Sequence, residues 1–243
     1  SHVLLSTVPN IITYDPAFAF ELAVIIQDGM KRMYKKQENI FYYISVSNEN
    51  YVMPPMPEGV RDGILKGMYK FQPSSKKKAA RAQLFGSGAI IHQVLEAQQV
   101  LEEDYGVAAD VWSVTSYNEL RREALHVERR NMLNPEQKPE IPYVTKCLDG
   151  QGDVFIFASD YMKIMPDGIA QWVPGPMLSL GTDGFGRSDS RKALRDFFEV
   201  DARHIVFGTL VTLAKEKKIS ADVVKQAAKK LEINPKKLNP MIS

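Results

Sequence analysis

The side chains that could do chemistry sit mostly in glycine-rich turns and at strand ends. The stretch Gly181-Thr182-Asp183-Gly184-Phe185-Gly186-Arg187-Ser188-Asp189-Ser190 packs three glycines, an aromatic, an arginine and two aspartates together. Arg187 there suits a carboxylate or phosphate, with the N–H groups of the loop helping. It equally suits pairing with Asp183 or Asp189, with Phe185 as an anchor against a neighbouring domain or subunit. Structural or interface use of Asp183, Phe185 and Arg187 is the favoured reading.

Gly86-Ser87-Gly88 follows an apolar run and precedes a helical pattern, the setting of a phosphate-binding turn. Ile91 stands where the third glycine of a dinucleotide fingerprint belongs, so a plain tight turn is favoured. Asn48, Glu49 and Asn50 gather polar groups at a strand end, to line a ligand or to cap an interdomain joint; the joint is preferred. The histidines, His2, His92, His126 and His204, stand apart, with no metal-ligand pairing at helical spacing. Cys147 is the only cysteine, which excludes an internal disulfide and reads as a buried structural thiol.

Composition narrows the class. With 44% hydrophobic and 25% charged residues, the 243-residue chain is a folded globular sequence rather than a disordered tail. A net charge of +2 gives no ground for nucleic acid as a partner. The basic clusters Lys76 to Lys78 with Arg81, and Arg121, Arg122, Arg129 and Arg130, read as solvated faces. Apolar runs fall short of the roughly 18 residues of a spanning helix, so no membrane is expected, and no signal peptide is recognisable at the start.

Positioning these groups requires alternating strands and helices. Asp15-Pro16 reads as an N-cap and first helical position, opening a helix to Tyr34 that is apolar on nearly all sides. Such a helix needs cover, which points to a fragment of a longer polypeptide or a tight dimer. Ile40 to Val46 reads as a strand buried on both faces. The proline-rich Met53 to Gly59 opens a connection holding a short helix near Val60 to Lys66 and a short strand near Met68 to Phe71. Strands follow at Ala82 to Phe85, Ala109 to Thr115, Val154 to Ala158 and Met177 to Leu180. Between them lie a helix with Ile90, Val94, Ala97 and Leu101 on one face, another from Tyr117 to Glu128, and a short one from Asp160 to Met165. Residues 131 to 150 read as irregular. Ser190, Asp201 and Ser220 each cap a later helix. The fold class is α/β: a mostly parallel sheet with helices on both faces, preceded by the end of a second α/β domain.

Several motifs also resemble a known family. Ser47 to Gly59 and Gly181 to Arg191 are similar to the homodimeric, thiamine-dependent bacterial pyruvate dehydrogenase components, whose fold is transketolase-like. Pro9-Asn10, Tyr14-Asp15-Pro16, Lys36 to Asn39, Leu84 to Gly88, Tyr105-Gly106-Val107, Asn131-Met132-Leu133 and Asp160 to Lys163 resemble it too. The resemblance implies residues 1–52 as the end of a pyrimidine-binding domain, 53–79 as a connector and 80–243 as a transketolase-like C-terminal domain. It implies decarboxylation of pyruvate with thiamine diphosphate and Mg²⁺, transfer to the lipoyl group of an acetyltransferase core, a second subunit and a cytoplasmic setting. The family's metal and diphosphate motif is missing here, and Gly150-Gln151-Gly152-Asp153 does not replace it. This stretch alone is therefore expected to bind no cofactor and to be inactive. His2 is the one catalytic residue the resemblance carries over. A stand-alone anion- or nucleotide-binding domain, or a partner-docking module, remain as alternatives.

Overall fold

The computed structural model describes residues 1–76 and 80–242; Lys77 and Lys78 of the basic cluster lie outside the described residues. Helix α1 (His2–Leu5) leads into strand β1 (Ile11–Tyr14), helix α2 (Ala19–Met30) and strand β2 (Phe41–Ile44). β1 and β2 pair in parallel, Ile11 opposite Phe41 and Tyr14 opposite Ile44.

Three expectations about this first unit change. β1 was not anticipated, because four residues after Pro9-Asn10 are too short to show a period. The helix starts at Ala19 rather than at Asp15-Pro16. Asp15 does not serve as its cap, since its carboxylate accepts from the Ser45 hydroxyl at 2.6 Å and its N–H donates to the Thr115 carbonyl at 2.7 Å. Glu21 caps instead, accepting from the N–H groups of Ala17 at 2.5 Å and Phe18 at 3.1 Å. Finally, β2 is not buried on both faces: Phe41 is 48% exposed and Tyr42 to Ile44 are half-buried.

Helix α3 (Arg61–Lys66) ends at Gly67, whose φ of +111° suits glycine. The next strand, β3 (Met68–Gln72), was expected within the connection and joins the second sheet. There follow β4 (Arg81–Gly86), a 3-10 turn (Gly88–Ile90), α4 (Ile91–Asp104), β5 (Ala108–Val114), α5 (Tyr117–Leu133) and α6 (Tyr143–Leu148). The chain then forms β6 (Val154–Ala158), α7 (Ile164–Asp167), β7 (Met177–Leu180), α8 (Arg191–Phe197), α9 (Ala202–Lys215) and α10 (Ala221–Lys230). α6 falls where irregular chain was expected. α7 begins at Ile164 rather than Asp160, because the Tyr161 N–H bonds the Ser159 hydroxyl at 3.1 Å and its carbonyl accepts from Thr182 N–H at 2.9 Å.

The second sheet has the order β3-β5-β4-β6-β7, parallel except for β3. Its strands alternate as a doubly covered sheet must. Ala82, Leu84, Ala109, Val111, Val154 and Ile156 meet α4, α9 and α10 on one face. Phe85, Trp112, Val114, Phe155 and Phe157 meet α5 and α6 on the other. There Phe85 and Phe157 stack with centroids 4.0 Å apart, and the Trp112 indole N–H donates to Gln83 Oε1 at 2.7 Å.

Candidate functional site

The carboxyl ends of β1, β2, β4 and β6 converge on one joint between the two sheets. β4 sends its crossover to β5 on one side, while β6 lies on its other side. The turn after β4 therefore sits at a topological switch point, where open α/β sheets place their ligands. Asp15 follows β1, Ser45 follows β2, Gly86-Ser87-Gly88 follows β4, and Ser159-Asp160 follows β6.

The joint is tied first by backbone. Besides the Asp15–Thr115 bond, the Gly88 N–H donates to the Asp15 carbonyl at 3.2 Å. Gly88 has φ +49°, and a Cβ there would stand 2.8 Å from the Asp15 carboxylate, so this position requires glycine. Gly86-Ser87-Gly88 is thus a tight turn shaped to receive Asp15.

Side chains complete it. The Ser45 hydroxyl donates to Asp15 Oδ1 at 2.6 Å, and His2 Nε2 lies 3.1 Å from Ser45 Oγ. Ser87 Oγ and Ser159 Oγ are 3.2 Å apart. Burial pushes the Asp15 carboxyl up to about 6, against the hydrogen bonds of Ser45 and Ser87 that hold it down. Burial lowers His2 to about 4, so its ring is neutral at pH 7. The ring is 3% exposed and set edge-on to Tyr43 and Tyr161, with centroids 5.2 and 4.6 Å away. Asn118 anchors the backbone, its Nδ2 donating to the His2 carbonyl at 3.1 Å.

Outward from Asp15 opens a cleft of about 670 Å³, lined among others by Ser45, Asn48, Asp160, Arg191 and Arg195. Asp160 opens to the cleft but is ringed by protein, which raises its carboxyl against the pull of Arg195 and Arg191. Arg191 of α8 reaches Glu49 at 2.6 Å and Asn48 at 2.8 Å, and Arg195 reaches the Tyr51 hydroxyl at 3.3 Å. Asn48 and Glu49 thus clamp the joint and also line the cleft, while Asn50 is exposed. His92 stacks on Tyr51 with centroids 4.1 Å apart, and burial lowers its pKa. The cleft sets two carboxyl groups of raised pKa beside two arginines, a set suited to an anionic or polar ligand, while the neutral His2 ring lies behind Asp15 and Ser45, in a hollow of about 10 Å³ rather than on the cleft wall.

The glycine-rich loop that carries Arg187 does not line the cleft, although its Thr182 N–H holds the Tyr161 carbonyl at 2.9 Å. Asp183 accepts from the Lys163 N–H at 3.1 Å, and Arg187 lies over the Phe197 ring at 4.6 Å. Phe185 is 88% exposed, so it anchors against nothing else in this chain. His204 does not stand alone as expected: its Nδ1 is 2.6 Å from Asp201 Oδ1, and Asp196 is within reach. Arg203 bonds both aspartates and Lys237 reaches Asp196, so protein cations already neutralise the group. The Cys147 thiol is half-buried, and burial raises its pKa, the opposite of nucleophile activation. Gly150 to Asp153 lies at the amino end of β6, where Asp153 accepts from the Arg81 N–H at 2.8 Å and pairs with Lys218 at 2.7 Å. That stretch does not fit a metal–diphosphate group.

Asp15, Ser45, Asp160, Arg191 and Arg195 escaped the sequence reading. The rule that ligands sit at strand carboxyl ends would have flagged Ser159-Asp160. Asp15 was hidden by its resemblance to a helix cap.

Comparison with known proteins agrees with this architecture. The model of the transketolase-like C-terminal domain matches residues 67–201, and that of the pyruvate dehydrogenase E1 component middle domain matches residues 1–54. The pyruvate dehydrogenase E1 component of Pseudomonas aeruginosa is 52% identical over 242 residues, covering 99% of this chain and 27% of its own. The Escherichia coli K12 protein of that name is 47% identical over 245 residues, covering 100% and 27%. The chain thus spans 27% of the length of these curated relatives. Among solved structures, a Campylobacter jejuni transketolase superposes with TM-score 0.56 at 18% identity, over 86% of this chain and 27% of its own. A split-gene transketolase, an inactive beta4 tetramer, gives 0.53 at 16%, over 87% and 60%. At such identities these two structures bear on the fold alone.

Proposed function

The chain belongs to the transketolase-like C-terminal-domain family, and from that premise we propose that it works as the C-terminal part of a pyruvate dehydrogenase. The whole enzyme decarboxylates pyruvate with thiamine diphosphate and Mg²⁺ and passes the two-carbon unit to a lipoyl group of an acetyltransferase core, in the cytoplasm. When bound, thiamine diphosphate supplies the carbanion chemistry. The metal and diphosphate ligands come from protein beyond these residues.

This chain's share is to close one side of the active site and to support the dimer. His2 is its catalytic residue, presented as a neutral ring at the joint. The Arg187 loop, with Asp183 and Phe185, is structural and reaches a neighbouring domain or subunit. The first unit supports the need for such neighbours: Ile26, Met30, Tyr34 and Phe41 are 46, 58, 76 and 48% exposed on it.

The observation that carries the reading is the convergence of buried His2 with half-buried Ser45 and Asp15 where four strand ends meet, in a chain about half identical to pyruvate dehydrogenase E1 components. The test is His2→Gln in the longer enzyme, assayed for pyruvate-dependent lipoyl acetylation. We expect a loss of about 10²-fold or more; unchanged turnover would remove His2 from the chemistry. The chain by itself is expected to show no Mg²⁺-dependent binding of thiamine diphosphate by calorimetry, and saturable binding would overturn the division of labour.

A further inference from the structure

The joint determines more than where His2 sits; it also determines which ring nitrogen carries the proton. A serine hydroxyl has one hydrogen and two lone pairs. Ser45 Oγ stands 2.6 Å from Asp15 Oδ1 and 3.1 Å from His2 Nε2. An ionised Asp15 can only accept, so the Ser45 hydrogen is committed to it. The contact with His2 is then a hydrogen bond only if Nε2 carries the hydrogen and donates to Ser45. The Tyr14 carbonyl, at 3.4 Å from Ser45 Oγ, is the weaker alternative acceptor for that hydrogen. No hydrogen bond among the described residues uses His2 Nδ1.

We infer that Asp15 and Ser45 form a positioning chain that holds His2 as the neutral Nε2–H tautomer, leaving Nδ1 as the ring's only acceptor toward a reacting hydroxyl or proton. Asp15 acts through Ser45 and touches no substrate. The other groups around it fit this polarity. Ser87, whose Oγ lies 3.2 Å from Ser159 Oγ, also helps to hold the Asp15 carboxyl down. Gly88 closes over it, with space for no more than a hydrogen where a Cβ would be. The ring is packed in T-shaped contacts with Tyr43 and Tyr161, which hinder its turning to exchange its nitrogens.

The inference rests on the reading that His2 faces the chemistry, and the two can fail separately. The experiment is ¹⁵N–¹H correlation NMR of the histidine side chains in this 243-residue chain at pH 8, where Asp15 is ionised. His92, His126 and His204 serve as controls for folding in the same spectrum. We expect His2 to show one tautomer, with a protonated-type shift at Nε2 and a bare-nitrogen shift at Nδ1. Ser45→Ala removes the acceptor, and Asp15→Asn lets an amide donate to Ser45 and turn its hydroxyl toward the ring. Both should bring up the Nδ1–H signal while the other three histidines keep their shifts. An Nδ1–H majority in the unaltered chain, or both variants leaving the His2 signature unchanged, would overturn the positioning chain. The activity of His2→Gln in the longer enzyme does not enter that result, since it judges only whether His2 takes part in the reaction.

Discussion

In the five-stranded sheet every residue of β5 and β6 is buried, whereas β2 leaves Phe41 48% exposed and its other three residues half-buried. Both sheets carry aromatic residues in their strands and pair in parallel, apart from β3. They differ in what covers them. The larger sheet has helices on both faces, so each strand residue has partners on its own side. The smaller one has α2, α3 and the Tyr69 side of β3 on one face; on the other, α1 and α5 cover β1, where Asn118 Nδ2 donates to Thr13 Oγ1 at 2.8 Å, but Phe41 of β2 is left in water. A strand sequence therefore states what a strand could bury, and the neighbours decide how much of that is realised.

That contrast can be broken most directly in the two sheets' aromatic residues. Phe157→Ala removes a fully buried ring stacked on Phe85 and should cost about 3–5 kcal/mol in chemical denaturation. Phe41→Ala should cost less than about 1 kcal/mol, because half of that side chain is already in water. Equal losses would mean that the two sheets are not differently covered in solution.

The next effect lies where the units share a buried charge. Glu21 is 0% exposed and accepts from the Tyr69 hydroxyl at 2.7 Å and the Ser113 hydroxyl at 2.6 Å, besides capping α2. Burial raises its pKa and those hydrogen bonds oppose the rise. Glu21→Ala should destabilise by about 3 kcal/mol or more, since it strands two buried hydroxyls and uncaps a helix. Glu21→Gln, which keeps an acceptor, should lose clearly less; an equal loss would assign the effect to charge alone.

The joint offers a subtler test, because two of its groups titrate with opposite consequences. Asp15 has a folded pKa of about 6, above its ordinary 3.8. Its contribution to stability is fully present below 3.8 and is lost as pH rises through 6. His2 has a folded pKa of about 4, below its ordinary 6.5. Its contribution is present above 6.5 and is lost as pH falls through 4. Each shift corresponds to at most about 3 kcal/mol, and the two oppose each other over the same window. Thermal unfolding across that window should thus be nearly flat for the pair. Asp15→Asn should leave stability rising with pH there, and His2→Gln should leave it falling. Parallel slopes in the two variants would contradict the assignment. The smallest effect is expected at the clamp: Arg191→Ala breaks half-exposed bonds to Glu49 and Asn48 and should cost less than about 1 kcal/mol by the same denaturation measurement.

How much of this could be read beforehand depended on distance along the chain. β6 and β7 were legible to the residue, because each is a short apolar run that starts just after an Asp or a Pro and stops at a Ser or a Gly. The caps Ser190 and Asp201 were legible too, and each accepts the expected N–H, from Ala193 and His204. Asp15 was misread because Asp-Pro is a strong local helix signal, while its actual partners, Gly88 and Thr115, lie far away in the chain. The family resemblance singled out His2, but neither it nor local pattern named Ser45, which read as one more residue of a β run. His204 looked solitary for the same reason, since Asp201 had already been spent on capping and a single side chain does both.

The backbone bonds of the joint have one more consequence. The Asp15 amide is tied to Thr115 and the Gly88 amide to Asp15, each across the seam between the sheets. Their hydrogens can trade with solvent only when the seam parts. Deuterium uptake at these two amides therefore clocks separation of the sheets without unfolding of either, and a ligand that bridges the cleft would be seen as the slowing of that clock.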